Sequence, residues 1–170
     1  MSVLDDGQMQ DGNLVWEVLQ LPLYTIWHTD TLRDQAFAVV HCSVGDALIA
    51  VSTLMLGLII AGDERWPAQR FWEVAGVTVA SAAAYTIFSE WLNVVVRAAW
   101  AYSDWMPIVP IFKLKIGLAP LAQWIIVPSA AFAITWRKMA DLKRGEGSSK
   151  YRPTPSLQSD KLMRRAKPIG

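Results

Sequence analysis

One apolar stretch of this chain reads Ser89-Glu90-Trp91-Leu92-Asn93-Val94-Val95-Val96-Arg97-Ala98-Ala99-Trp100. It carries a carboxyl, an amide and a guanidinium group. In a helix, Glu90, Asn93 and Arg97 are spaced i, i+3, i+7 and share one face. Polar groups cost several kcal/mol in hydrocarbon unless they are paired. The stretch therefore predicts a membrane helix whose polar face is covered by other helices.

The composition of the whole chain agrees with a membrane location. Of 170 residues, 53% are hydrophobic, and the mean hydropathy is +0.25. Nine residues are tryptophan, whose amphipathic ring favours the bilayer interface. We therefore expect an all-α polytopic membrane helix bundle that is embedded in the lipid bilayer.

Three segments are predicted as firm transmembrane helices because they are long and apolar: 35–62, 71–99 and 116–136. A fourth segment, 13–27, would span only about 22 Å as a helix, against ~30 Å of hydrocarbon. Pro22 interrupts it. We favour a short N-terminal membrane helix in a four-helix bundle, while an interfacial or re-entrant helix stays an alternative. Thr31 or Asp30 is expected to cap the helix that follows.

The two ends of the chain differ in charge. Residues 1–12 are polar and acidic, which predicts a disordered N-terminus. Residues 137–170 hold ten Lys or Arg against three Asp or Glu and are predicted as a basic disordered tail. Basic residues beside a span remain in the cytoplasm, so the C-terminus is predicted to be cytoplasmic. The tail suits anionic lipid, not nucleic acid.

This topology places polar residues of different spans at one depth. His41 and Asp46 lie in the outer half of the first firm span, and Glu90 and Gln123 reach the same layer from the second and third. Intramembrane ionisable residues commonly mark functional sites. The predicted ligand or proton site comprises Glu90, His41, Asp46, Asn93 and Gln123.

A second group is predicted nearer the outer surface, as a mouth or anchor: Arg97, Asp34, Asp104 and Tyr102. Arg97 is expected to meet Asp34 or Asp104. Structural roles compete with these assignments. Glu90 and Asn93 could join helices through hydrogen bonds, His41 could be a satisfied buried residue, and Arg97 could extend its charge to the interface.

Several chemistries are disfavoured by residue counts and spacing. Cys42 is the only cysteine, so a disulfide relay within the chain is impossible. His41 and Asp46 point about 140° apart on a helix, and only two histidines exist, so we predict no metal site and no cofactor. The chain has no P-loop, G-x-S-x-G or H-E-x-x-H motif. Catalytic residues stay unassigned, and enzyme activity stays open.

The chain also resembles a group of known proteins. The resemblance lies in Ser89–Asn93, Trp100–Tyr102, Met106-Pro107 and Gly117–Trp124, and extends roughly over 14–136. These residues resemble uncharacterised small multi-pass membrane proteins of proteobacteria. The resemblance implies a bacterial inner (plasma) membrane location, but no activity and no residue roles.

The leading functional hypothesis is a small integral membrane protein that binds or translocates a small molecule, ion or proton. Glu90 and His41 would titrate, Asp46 and Asn93 would orient, and Arg97 would contact an anion at the mouth. One alternative is an accessory or assembly subunit whose polar groups meet partner membrane subunits. Another is a membrane enzyme that uses Glu90 and His41 as acid and base on a lipid or isoprenoid.

Overall fold

The computed structural model describes the backbone of residues 6–111 and 113–150, and the side chains of 11–111 and 113–144. The order of elements is α1 (Asp6–Gln20), a 3₁₀ turn (Leu21–Leu23), α2 (Ile26–Thr29), α3 (Leu32–Ala61), α4 (Phe71–Glu90), a π-helical turn (Trp91–Val96), β1 (Ile108–Ile111), β2 (Leu114–Gly117) and α5 (Leu118–Lys150). The chain divides into two compact units, 1–135 and 136–170.

Three helical segments are long and apolar enough to cross a membrane: Leu32–Ala61, Phe71–Val96 and Leu118–Arg144. Their mean hydropathies are 2.1, 1.3 and 1.6. The prediction of a mostly helical protein with three helices long and apolar enough to span a membrane is confirmed. Helix α1 is not among these segments, so the four-helix bundle stays a prediction.

Helix α3 is polar or small on its buried side and apolar on its exposed side. The buried residues of α3 are Gln35, Ser43, Asp46, Thr53, Gly57 and Ala61. Large apolar side chains of the same helix are exposed, with Leu48 at 67% and Ile59 at 78%. Contiguous apolar surface of this extent is unfavourable in water and favourable in hydrocarbon. The distribution of side chains therefore fits a bilayer environment.

Helices α3 and α4 approach closely where Gly57 faces Thr78. A Cβ atom on Gly57 would lie 2.5 Å from Thr78 Oγ1 and 2.9 Å from the carbonyl oxygen of Val74. Thr78 turns its hydroxyl back to donate to that carbonyl at 2.8 Å. Small residues permit such close crossings of membrane helices. Next to it, Phe71 of α4 meets Phe132 of α5 edge to face, with ring centroids 5.6 Å apart.

The N-terminal segment is more ordered than its composition predicts. Helix α1 begins at Asp6, so the predicted disorder of 1–12 is wrong for residues 6–12, and 1–5 lie outside the described residues. Contacts with α5 explain the difference. A Cβ on Gly12 would lie 3.0 Å from Val127, and the Trp16 ring nitrogen donates to the carbonyl of Ala119 at 3.2 Å. The predicted interruption at Pro22 is confirmed by the 3₁₀ turn.

Two connecting segments, 21–29 and 100–117, are linked by backbone hydrogen bonds, and we call them together the cap. The backbone N–H of Thr25 donates to Ala101 at 3.0 Å, and that of Ser103 donates to Leu23 at 2.9 Å. The segment between the second and third predicted spans includes β1 and most of β2, which pair antiparallel from Ile108–Gly117 to Ile111–Leu114. The cap thus connects the end of α1 to the segment between α4 and α5.

The ends of the spans differ from the predicted bounds. Helix α3 begins at Leu32, and Thr31 is its N-cap in a capping box with Asp34, which confirms one of the two predicted caps. The second span ends at Val96 instead of 99. Helix α5 continues to Lys150, so the predicted disorder of 137–170 is wrong for 137–150. Residues 139–143 (Met-Ala-Asp-Leu-Lys) are mostly good helix formers, and 151–170 lie outside the described residues.

Substitution of Gly57 tests the close crossing of α3 and α4. We expect Gly57→Ala to lower the free energy of unfolding by about 1–3 kcal/mol, the usual cost of overpacking. Gly76→Ala on α4 is the control, because a Cβ there meets no atom within 4 Å. Denaturant unfolding in detergent micelles measures both. Equal stability of the two variants would contradict the crossing.

Candidate ligand-binding site

A cavity of about 710 Å³ lies among α1, α3, α4, the π-helical turn and the start of α5. Its walls include seven of the nine residues predicted for the site and its mouth: Asp34, His41, Asp46, Glu90, Asn93, Arg97 and Gln123. A volume of this size is typical of small-molecule sites. The cavity brings side chains from three membrane-spanning segments into one space.

Gln123 connects the polar residues at one side of the cavity. Its side chain is 1% exposed. The amide nitrogen donates to Asp46 Oδ2 at 2.8 Å and to Asn13 Oδ1 at 3.4 Å. Its oxygen accepts from Gln20 Nε2 at 3.3 Å, and Gln20 Nε2 also donates to Glu17 Oε1 at 2.8 Å. We call these five residues the amide network, which joins α1, α3 and α5.

The orientation of the amides follows from the network itself. The nitrogens of Gln123 and Gln20 each face a carboxylate oxygen. Reversing either amide would place oxygen against oxygen, which is unfavourable. The oxygen of Gln20 therefore stays as an acceptor, and it has no hydrogen-bond partner among the described residues although the side chain is only 6% exposed.

The Glu90 side chain is hydrogen-bonded to a residue of the cap. The Tyr102 hydroxyl donates to Glu90 Oε2 and accepts from the backbone N–H of Gly117 at 3.0 Å. Burial, together with the hydrogen bond to the Glu90 carboxyl and its charge, raises the pKa of Tyr102 above its usual value. Tyr102 therefore keeps its proton at neutral pH and acts as a donor. Its ring lies 5.8 Å from that of Tyr24, whose pKa burial also raises well above the usual range.

The chain leaves α4 through the π-helical turn directly after Glu90. Here the N–H of Arg97 donates to the carbonyl of Leu92 at 2.8 Å, five residues back. The Asn93 amide donates to the carbonyl oxygen of Ser89 at 2.9 Å and to its hydroxyl at 3.2 Å. Asn93 therefore supports its own helix. Single π-helical turns within membrane or soluble helices frequently occur at functional sites.

Three buried carboxyl groups surround the cavity without a cationic partner. Glu17, Asp46 and Glu90 are 9%, 6% and 5% exposed. Within 11–111 and 113–144, no lysine, arginine or histidine forms an ion pair with any of them. Their neighbours are instead amides, the Tyr102 hydroxyl and, for Glu17 and Asp46, each other. Buried carboxyls of this kind require either protons or an incoming positive charge.

The remaining predicted residues contribute less to the buried site. His41 is exposed and stacks on Phe37 at a centroid distance of 5.8 Å. Asp34 accepts from the Thr31 hydroxyl at 2.6 Å. Asp104 is exposed and does not line the cavity. The expected pairing of Arg97 with Asp34 or Asp104 is wrong in the described residues, because neither carboxylate forms an ion pair with it.

Sequence reasoning missed the contribution of α1. Asn13, Glu17 and Gln20 are spaced i, i+4, i+7, so they form one polar face on a helix. All three are buried in the structure. The same spacing argument that identified Glu90 and Asn93 would have found them. The apolar residues around them in 13–27 obscure this spacing.

The described residues bring together no group of three or more histidine, cysteine, aspartate or glutamate side chains able to hold a metal ion. Cys42 lies on the cavity wall and is half-buried.

Comparison of the chain with protein-family models, with curated proteins and with solved structures finds no match. The site is therefore interpreted from its own geometry.

The raised pKa of Tyr102 can be observed directly. The folded-state pKa of Tyr102 lies above the ordinary 10.0, first because burial desolvates the hydroxyl and second because the hydroxyl donates to Glu90, so the fold stabilises the protonated form of Tyr102. That stabilisation is lost as the pH rises above 10. Tyrosinate absorbance near 295 nm, compared between wild type and Tyr102→Phe, should show no difference around pH 10. A one-tyrosine step centred there in the wild type alone would contradict this environment.

Proposed function

We propose that this protein is a small integral membrane protein that binds a small molecule, ion or proton in the cavity beside the amide network. One observation carries the proposal: a space of about 710 Å³ is lined by three residues with buried carboxyl groups and by Gln20, whose side-chain oxygen has no partner among the described residues. Translocation across the membrane would need this site to open on both sides, so binding is the more direct conclusion.

A purely structural role explains the site less well. Polar groups that only hold helices together are normally satisfied by one another, because an unsatisfied buried group costs about 1–3 kcal/mol. The Gln20 oxygen is unsatisfied within the described part of the chain, and the adjoining carboxyls lack cations. A bound molecule that donates hydrogen bonds would offset both costs.

For its location we propose a bacterial inner membrane with the C-terminus in the cytoplasm. The basic residues after Trp136 support this orientation, and the compartment is the one implied by the sequence resemblance, to which the comparisons with known proteins add no match. In the same orientation the basic tail would meet anionic lipid. A green fluorescent protein fused after Gly170 would fluoresce if this orientation is right and stay dark if it is reversed.

An acid–base enzyme is the alternative with some structural support. Glu90 and His41 border the same cavity, so both could contact one bound lipid or isoprenoid. The alternative of an accessory subunit has no such observation behind it. The two differ from simple binding in whether the bound molecule is converted and in whether a second protein is needed.

Copurification tests the proposal. We expect wild-type protein, extracted from the membrane and analysed by mass spectrometry, to retain a small molecule that Glu90→Gln loses at least in part. Glu73→Gln is the matched control, because Glu73 lies on the same helix and is exposed. It should retain the molecule at the wild-type level.

The outcomes separate the alternatives. Chemically altered forms of the molecule that appear only with wild type would favour the enzyme. An empty cavity in all three proteins, with a second polypeptide bound instead, would favour the accessory subunit. Empty protein without any partner would leave the structural role and contradict the proposal.

A further inference from the structure

Resting on the proposed function, we propose that the cavity binds an amphiphile whose polar end is a primary ammonium group. The charge of the walls is the first argument. Five acidic side chains border the cavity, namely Glu17, Asp30, Asp34, Asp46 and Glu90, and Arg97 is the one lysine or arginine among its described lining residues. Such an excess attracts cations and disfavours carboxylates.

The hydrogen-bonding inventory is the second argument. The donors that face Glu17, Asp46 and Glu90 are already engaged, whereas the oxygen of Gln20, a residue that lines the cavity, has no hydrogen-bond partner among the described residues. A primary ammonium group supplies three donors and one positive charge. It can satisfy that oxygen and neutralise an adjacent carboxylate together, which a quaternary ammonium group without N–H cannot do.

The apolar part of the wall is the third argument. Phe37, Leu48 and Tyr85 border the cavity and are also exposed, at 70%, 67% and 46%. In a bilayer these side chains contact lipid chains. The hydrocarbon chain of a ligand can therefore contact this apolar surface while the polar end of the ligand reaches the buried carboxyls. A bare metal cation would use neither this surface nor any three-ligand cluster of the described residues.

Another part of the cavity wall carries hydrogen-bond donors instead of acceptors. The Trp100 ring nitrogen is buried without a partner in the described structure, and Arg97 lies three residues before it. These groups suit an anion such as phosphate. The ammonium group could therefore belong to a simple long-chain amine or to the zwitterionic headgroup of an aminophospholipid, and the experiment separates these sources.

The test measures saturable binding of radiolabelled dodecylamine to the full chain in detergent micelles. We expect one site per chain. Unlabelled dodecyltrimethylammonium, dodecanol and dodecanoate should each compete at least 10-fold less well than dodecylamine. Glu17→Gln, which removes the charge of the carboxyl beside Gln20, should weaken binding at least 10-fold, whereas Glu73→Gln should not. If dodecanol competes as well as dodecylamine, or if the two variants behave alike, the ammonium assignment is overturned.

Gln20→Leu provides a second, independent variant. It removes the idle oxygen, so the preference for the primary over the quaternary ammonium should disappear, whereas the exposed control Gln69→Leu should keep it. Retention of the full preference in Gln20→Leu would contradict the role of that oxygen. Both variants are compared after size-exclusion chromatography confirms that they remain folded and monodisperse.

Further outcomes identify the source of the ammonium group and show which of the two proposals is overturned. Lysophosphatidylethanolamine that competes better than dodecylamine identifies the headgroup of a lipid as the source, and weaker competition identifies a simple amine. Wild-type protein that copurifies with a molecule but binds no dodecylamine overturns the ammonium proposal alone. Wild-type protein that retains nothing and binds none of these compounds overturns the proposed function as well.

Discussion

The arrangement of this protein depends on the buried side chain of Gln123. Its amide donates to Asp46 on α3 and Asn13 on α1 while its oxygen accepts from Gln20. In hydrocarbon no water can replace these partners, so the helices must keep the positions that satisfy them. Buried polar networks specify one arrangement more strongly than apolar contacts do, because alternatives leave groups unpaired. The network joins α1, α3 and α5 beside the cavity, and four of its five residues line the cavity wall.

The cap restrains the opposite wall. Tyr102 connects Glu90 of α4 to the backbone at Gly117, where α5 is about to begin. The hairpin β1–β2 and the backbone bonds of Thr25 and Ser103 hold Tyr102 in place. The Glu90 carboxyl is therefore fixed by a rigid, non-helical segment. Preorganised polar groups of this kind favour ligand binding because little ordering remains to be done.

Much of the fold could be predicted from the sequence because membrane spans depend on length and hydropathy alone. The first predicted span, 35–62, lies within a few residues of α3. The second, predicted as 71–99, ends at Val96 with a π-helical turn, and the third, predicted to end at 136, continues in α5 to Lys150. Order at 6–12 could not be predicted, since it depends on contacts of Gly12 and Trp16 with α5. Composition describes a segment's own preferences and contains no information about such partners.

The candidate site was predicted in part. Matching depths correctly grouped Glu90, Asp46 and Gln123 around one space, because antiparallel spans fix the level of each residue. The depth of a residue does not determine the direction of its side chain. Depth alone therefore predicts both the exposed His41 and the buried Asp46 as site residues. Glu17 and Gln20 were missed although their spacing was visible. The binding role of all these residues stays a prediction until a ligand is measured.

A double-mutant cycle between Asp46 and Gln123 tests the central claim most directly. Asp46→Leu, Gln123→Leu and the double variant are compared with wild type by denaturant unfolding in micelles. If the buried amide network holds the helices, the two substitutions should be coupled by about 0.5–2 kcal/mol, within the usual range for contacting residues. Additive effects within a few tenths of a kcal/mol would show that Gln123 and Asp46 do not interact and would contradict the account.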